Sequence, residues 1–177
     1  GYQVLGKEED LPHLIKQHSL KGCLIAIGDN FIRTKVANRI QEISPALPFV
    51  SAIHPTATIG KDVTLGAGTV VMAGATINPS STIGKFCILN TNSSLDHDSV
   101  MGDFASLAPN SSTGGNCHLD EHVSVGIGAT LIHGIKVGKH SVIGAGSTVL
   151  KDIPAFKVAY GSPAKVIRTR QAGEKYL

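Results

Sequence analysis

The sequence predicts a mainly β protein: a parallel β-solenoid preceded by a small α/β segment. Three observations carry this. From Ile53 to Val149 every sixth residue is apolar in sixteen of seventeen cases, Thr113 being the exception, and no insertion breaks the register. Four residues after each of these comes a small or β-branched residue, as in Ala57, Ala75, Cys87, Ser99 and Ala129. A glycine often follows the apolar residue, as in Leu65-Gly66, Ile83-Gly84 and Val137-Gly138. Six fits the helical period of 3.6 poorly but is an even multiple of the strand period of 2. Each hexad therefore reads as a short strand and a turn, its large side chain always facing inward. The small residue fits a corner, and glycine is expected to supply the backbone angles that corners need. One hexad cannot bury its own side chain, so successive ones must stack into a solenoid.

The sequence opens without Met, and residues 1–6 read as the end of something and not a beginning, which leaves open whether the N-terminus is truncated. Glu8-Glu9-Asp10 places acids where a helix begins, and Pro12 is tolerated in a first turn. Leu11, Leu14 and Ile15 form a short apolar stripe that ends before Gly22. The continuous apolar run from Gly22 to Gly28 predicts a strand covered on both faces. Asp29 or Asn30 can cap the next helix, which carries Ile32, Val36, Ile40 and Ile43 on one face. Pro45 and Pro48 end that helix, and Phe49-Val50 is expected to be a second strand. Three units result: a partial α/β domain over 1–50, the solenoid over 51–154 and a capping segment over 155–177.

Composition excludes several classes. A net charge of +3 is too small to argue for nucleic acid. There is no apolar run of transmembrane length and no signal-peptide pattern, so a soluble, cytoplasmic protein without membrane insertion is expected. The three cysteines form neither a metal nor a disulfide pattern; Cys87 and Cys117 take small inward positions and are expected to be buried free thiols.

Chemistry is concentrated in the run from Asn90 to Asp98. Leu95 and Ser99 hold inward positions, so His97 and Asp98 should point outward near a turn. A histidine flanked by Asp96 and Asp98 is favoured in its charged form and so has raised basicity. From the residues alone it is either a solvated turn histidine or a general base. His97 and His133, thirty-six apart, should share one edge, and His122 and His140, eighteen apart, should stack. Gly28-Asp29-Asn30, between a strand and a helix, places backbone amides where α/β sheets bind ligands.

The hexad pattern resembles the hexapeptide-repeat acyltransferases, whose fold is a left-handed parallel β-helix of triangular section with three hexads per coil. The Asn90–Asp98 run resembles the active-site turn of their nucleotide-amino-sugar N-acetyltransferase and sialic acid O-acetyltransferase members. The resemblance implies His97 as catalytic base and Asp98 as its support, where relatives often have Glu. It implies a homotrimer in which acetyl-CoA, the co-substrate, lies in the groove between neighbouring β-helices. Ser106, Gly115, Ile127 and Ala145 match the coenzyme-contacting positions, and the Gly115 N–H is the implied oxyanion donor. Gly28 and Asn30, with Arg33 nearby, match the turn where a nucleotide-sugar substrate lies. Relatives also carry an earlier Gly-His-Gly turn and an acidic pair, which are absent here. Tyr160 to Arg168 resembles the segment that closes these β-helices. The basic residues from Lys157 onward suit coenzyme A phosphates, with Arg170 and Lys175 read as a solvated tail. The γ-class carbonic anhydrases share the fold and bind zinc through two histidines thirty-six apart and a third five residues later. That third position is Gly138, so no metal is expected.

The reading is acetyl transfer from acetyl-CoA to the amine of a nucleotide-linked amino sugar. O-acetylation of sialic acid or another hydroxyl, a metal-dependent hydratase and a non-catalytic scaffold are the alternatives.

Overall fold

The six-residue period becomes seventeen two-residue strands, from β1 (Ala52–Ile53) to β17 (Thr148–Val149). Each pairs in parallel with the strand three further on, so partners are eighteen residues apart, as in Ala52 with Val70 and Leu107 with Val125. Three sheets result. The first holds β1, β4 (Val70–Val71), β7 (Ile88–Leu89), β10 (Ser106–Leu107), β13 (Ser124–Val125) and β16 (Val142–Ile143); the second starts at β2 (Thr58–Ile59); the third starts at β3 (Thr64–Leu65). The solenoid is a left-handed parallel β-helix of about six turns. This computed structural model describes residues 1–175, so the last two residues of the expected 155–177 cap lie outside the described residues.

The hexad residues build the interior. Ile77, Leu89, Leu95, Leu107, Leu119 and Ile143 are fully buried, alternating with small Ala75, Cys87, Ala105 and Ala129. Each large aliphatic side chain contributes about 1.5–3 kcal/mol by leaving water. The column ends where stacking ends: Ile53 and Ile59, in the first coil, are 48% and 37% exposed.

Glycine plays a different part from the one expected. The left-handed backbone falls three residues after the hexad residues from Ile59 to Ile143, at Asp62, Phe86, Asn92, Asp98, His122 and Gly128 among others, mostly without glycine. The glycine directly after the hexad residue serves close approach instead: a Cβ on Gly66 would lie 2.4 Å from the carbonyl carbon of Gly84 in the next coil.

The N-terminal region departs further. The helix at Leu11–His18 (α1) is present, preceded by a short 3₁₀ turn at Glu8–Asp10. The strands expected over 22–28 and 49–50 reduce to one parallel bridge between Cys23 and Phe49. The run is covered on one face only: Ile25 is buried, whereas Leu24 and Ala26 are exposed. Helix α2 (Asn30–Ile43) is capped by Asp29, whose Oδ1 accepts from the N–H groups of Phe31 and Ile32 at 2.9 Å. Its buried residues are Asn30, Arg33 and Ala37; of the expected apolar face, Val36 and Ile40 pack half-buried against Ile25, Ala37 and Phe86, whereas Ile32 is 51% exposed. Polar bonds add to this apolar docking of α2. The Arg33 guanidinium, 1% exposed, donates to the carbonyls of Phe86 (2.8 Å), Ile27 (2.8 Å), Gly28 (3.1 Å) and Phe104 (3.1 Å), and to Asn30 Oδ1 (2.8 Å). Asn30 Nδ2 donates to Val123 O at 3.2 Å.

α2 rests on the corner between the third and first sheets. There Phe86, Phe104, His122, His140 and Phe156 form a face-to-face ladder with centroids 4.4–5.2 Å apart. The expected His122–His140 stack is one step of it, at 4.4 Å. Thr34 Oγ1 lies 2.9 Å from His122 Nε2, and burial is the main cause that lowers the His122 pKa to about 4.

At the other end β18 (Lys157–Gly161) pairs in parallel with β16, and β19 (Ala164–Thr169) folds back on it. This hairpin continues the first sheet. Arg170 is not a solvated tail residue: it is 5% exposed and its Nη1 donates to His140 O at 2.7 Å.

Candidate active site

The corner between the second and third sheets stacks His97, Gly115 and His133 on three successive coils. His97 and Asp98 follow β8 (Ser94–Leu95) and are half exposed. Asp98 has φ 55°, a conformation aspartate tolerates better than most residues. In this geometry Asp98 Oδ2 stands 2.7 Å from His97 Nδ1, so the shorter carboxylate reaches the ring. The hydrogen bond that the His97 imidazole donates to Asp98 is the first cause that raises the His97 pKa; the charges of Asp96 and Asp98 add to it. Nδ1 is thereby engaged, and Nε2 is left to face solvent as the acceptor.

Asp96 holds the turn from below. Its Oδ1 accepts the His97 N–H at 2.8 Å and the Asn78 amide at 2.7 Å, and these two bonds lower its pKa. Thr113 accounts for the break in the apolar column. Its side chain is 7% exposed, and Oγ1 accepts the Asp96 N–H at 3.0 Å, where neighbouring rungs use a backbone carbonyl. The register between β8 and β11 (Ser112–Thr113) accordingly pairs Ser94 with Ser112 only. The sequence shows this as the single polar hexad residue, a signal whose meaning depends on the turn beneath it.

Gly115 lies against the imidazole: a Cβ there would fall 2.5 Å from both Cε1 and Nε2 of His97. Among the described residues the Gly115 N–H has no hydrogen-bond partner, while its carbonyl accepts from Gly134 N.

The other coenzyme candidates lie elsewhere. Ser106, Ile127, Ala145 and Gly28 together line a mainly apolar groove of about 540 Å³ on the outer face of the first sheet. Tyr160 and Arg168 of the terminal hairpin close it at one end. Ile127 and Ala145 sit at the corner between the first and second sheets, one corner away from His97. Gly28 thus borders the groove, whereas Asn30 is 1% exposed and serves as an anchor of α2. Among the described residues no three His, Cys, Asp or Glu side chains are grouped to hold a metal ion. No helix among them is long and apolar enough to cross a membrane.

The family model described as bacterial transferase hexapeptide (six repeats) matches residues 116–151. No curated protein sequence matches the chain. Solved structures do. PerB from Caulobacter crescentus, in complex with CoA and GDP-perosamine, is 37% identical over 95% of this chain and 80% of its own, with TM-score 0.90. The acetyltransferase domain of PglB from Neisseria gonorrhoeae is 29% identical over 94% and 80%, with TM-score 0.84. WeeI from Acinetobacter baumannii is 27% identical over 94% and 79%, with TM-score 0.86. With this fold, this turn and this degree of identity, the chain belongs to the hexapeptide-repeat, left-handed β-helix sugar acetyltransferases.

Proposed function

We propose that the protein transfers acetyl from acetyl-CoA to the amino group of a nucleotide-linked amino sugar, with His97 as general base. The observation that carries this is the His97–Asp98 pair at 2.7 Å, which directs an unengaged Nε2 outward beside the small Gly115. The neutral amine attacks the thioester carbonyl, and Nε2 takes the proton that the nitrogen sheds. The Gly115 N–H accommodates the developing oxyanion, and Asp98 stabilises the imidazolium. PerB, with CoA and GDP-perosamine, and PglB, with acetyl coenzyme A, support both substrates.

The site is completed by a neighbouring copy in a homotrimer. In one chain the groove and His97 occupy different corners of the prism, so a symmetry mate must bring the groove to the histidine. Residues 1–50 form the acceptor-side unit, 51–154 the β-helix and 155–177 the cap. The Gly28 turn faces the nucleotide sugar, and Ser106, Ile127 and Ala145 line the coenzyme A path. Both substrates belong to the cytoplasm, where we place the enzyme. The test is thiol release from acetyl-CoA with a panel of GDP-, UDP- and dTDP-linked amino sugars. Acetylation of at least one is expected; CoA binding with no turnover across the panel, but turnover of sialic acid, would replace the amine with a hydroxyl.

Protonation follows from the site. His97 must be neutral to act, so activity is lost as pH falls through its raised pKa. Asp98→Asn removes the main cause of that shift. The acid limb of the kcat/KM profile should move to lower pH, and the plateau should fall about tenfold as the base weakens. A limb that stays in place would separate Asp98 from the basicity of His97.

A further inference from the structure

The corner that carries His97 holds a second imidazole that the mechanism above does not use. His133 stands two coils on, with ring centroids 6.4 Å apart and planes inclined at 49°. The intervening coil presents Gly114 and Gly115. A Cβ on Gly114 would lie 2.6 Å from the backbone nitrogen of His133, and one on Gly115 would strike the His97 ring. The result is a corner with two imidazoles and only glycine backbone on the coil between them. Centroids 6.4 Å apart at 49° make a tilted ring pair, so the two imidazoles are neighbours that one bound group can reach at the same time. Asp96, His97 and Asp98 are the titratable groups on the near side of His133, and Lys151 is one coil beyond it.

We propose that His133 is a second catalytic residue, which protonates the departing sulfur of coenzyme A. This rests on the acetyl-transfer reading. The amine nitrogen forms its bond to the carbonyl carbon, and its proton passes to His97 Nε2. As the tetrahedral centre collapses, the C–S bond breaks and its electron pair goes to sulfur. The His133 imidazolium gives that sulfur a proton and becomes neutral; the two rings then re-equilibrate with water. A thiol ordinarily has a pKa of about 8.5, so near neutrality the departing sulfur anion captures a proton, and an imidazolium within reach can supply it.

His133 is exposed, so His133→Gln should melt like the parent. Its kcat should fall about 100-fold, with KM for acetyl-CoA changed less than about threefold. A purely structural residue would not move the second readout, the thiolate absorbance of bound CoA followed against pH. In the parent the bound thiol should ionise about one pH unit lower than free CoA, and His133→Gln should restore the free value. A parent that binds CoA, with the same thiol titration as the variant, overturns the role of His133 alone. A kcat within about twofold of the parent does likewise. A parent that binds no CoA overturns the acetyl-transfer reading and this role together.

Discussion

His97→Ala should lower kcat by about 10³-fold while leaving KM for acetyl-CoA and the melting temperature near their parental values. The side chain is half exposed and contributes little to packing, so its loss falls on chemistry and not on folding. Its Nδ1 is engaged by Asp98, which leaves one nitrogen for the substrate, and removing the ring removes the proposed general base. Steady-state kinetics and a thermal melt on the same preparation check both halves. Turnover within about tenfold of the parent would mean that another group accepts the proton. The amine, if it arrives already neutral, sets the residual rate.

Arg33→Ala should be the most destabilising single change outside the solenoid core. The guanidinium joins four backbone carbonyls from two coils and from the Ile27–Gly28 turn. Truncation strands these buried acceptors and opens a cavity, at a cost of about 3–5 kcal/mol. For a chain of this size that lowers the melting temperature by about 10 °C. Arg33→Lys should recover only part of the loss, because one ammonium cannot span acceptors set in a fork. Circular dichroism melts decide; a shift below about 2 °C would show that α2 is held by its apolar contacts. Because the same turn presents Gly28 to the groove, Arg33→Ala should also weaken substrate binding.

The features legible in the sequence are those fixed by period. Leu95, Leu107 and Ile143 lie inward because each rung repeats the last, and His97 lies outward because two positions after an inward residue the chain is in its turn. The aromatic ladder obeys the same eighteen-residue step from Phe86 to His140, yet only its two histidines are evident beforehand, since a phenylalanine in a left-handed turn is not what propensity favours. Arg33 and Arg170 show the opposite difficulty. Their charge reads as solvent or ligand contact, and their burial depends on carbonyls supplied by coils tens of residues away. The Gly22–Gly28 run is apolar enough for a two-faced strand, but in this structure only one face, that of Ile25 and the half-buried Ile27, finds a core. The separation of groove and proposed base on different corners follows from the threefold division of eighteen, and is the reason we propose that a second copy completes the site.

That last point allows a direct test. His97→Ala removes the base, and Ala145→Trp fills the exposed groove at the neighbouring corner; each alone should be nearly inactive. Co-expressed in equal amounts, the two chains should assemble into mixed trimers in which about a quarter of the interfaces pair an intact histidine with an intact groove. Recovery of about a quarter of parental turnover in the mixture is the expected result. Activity no greater than the sum of the two variants alone would mean that histidine and groove act within one chain, and the shared site would be wrong.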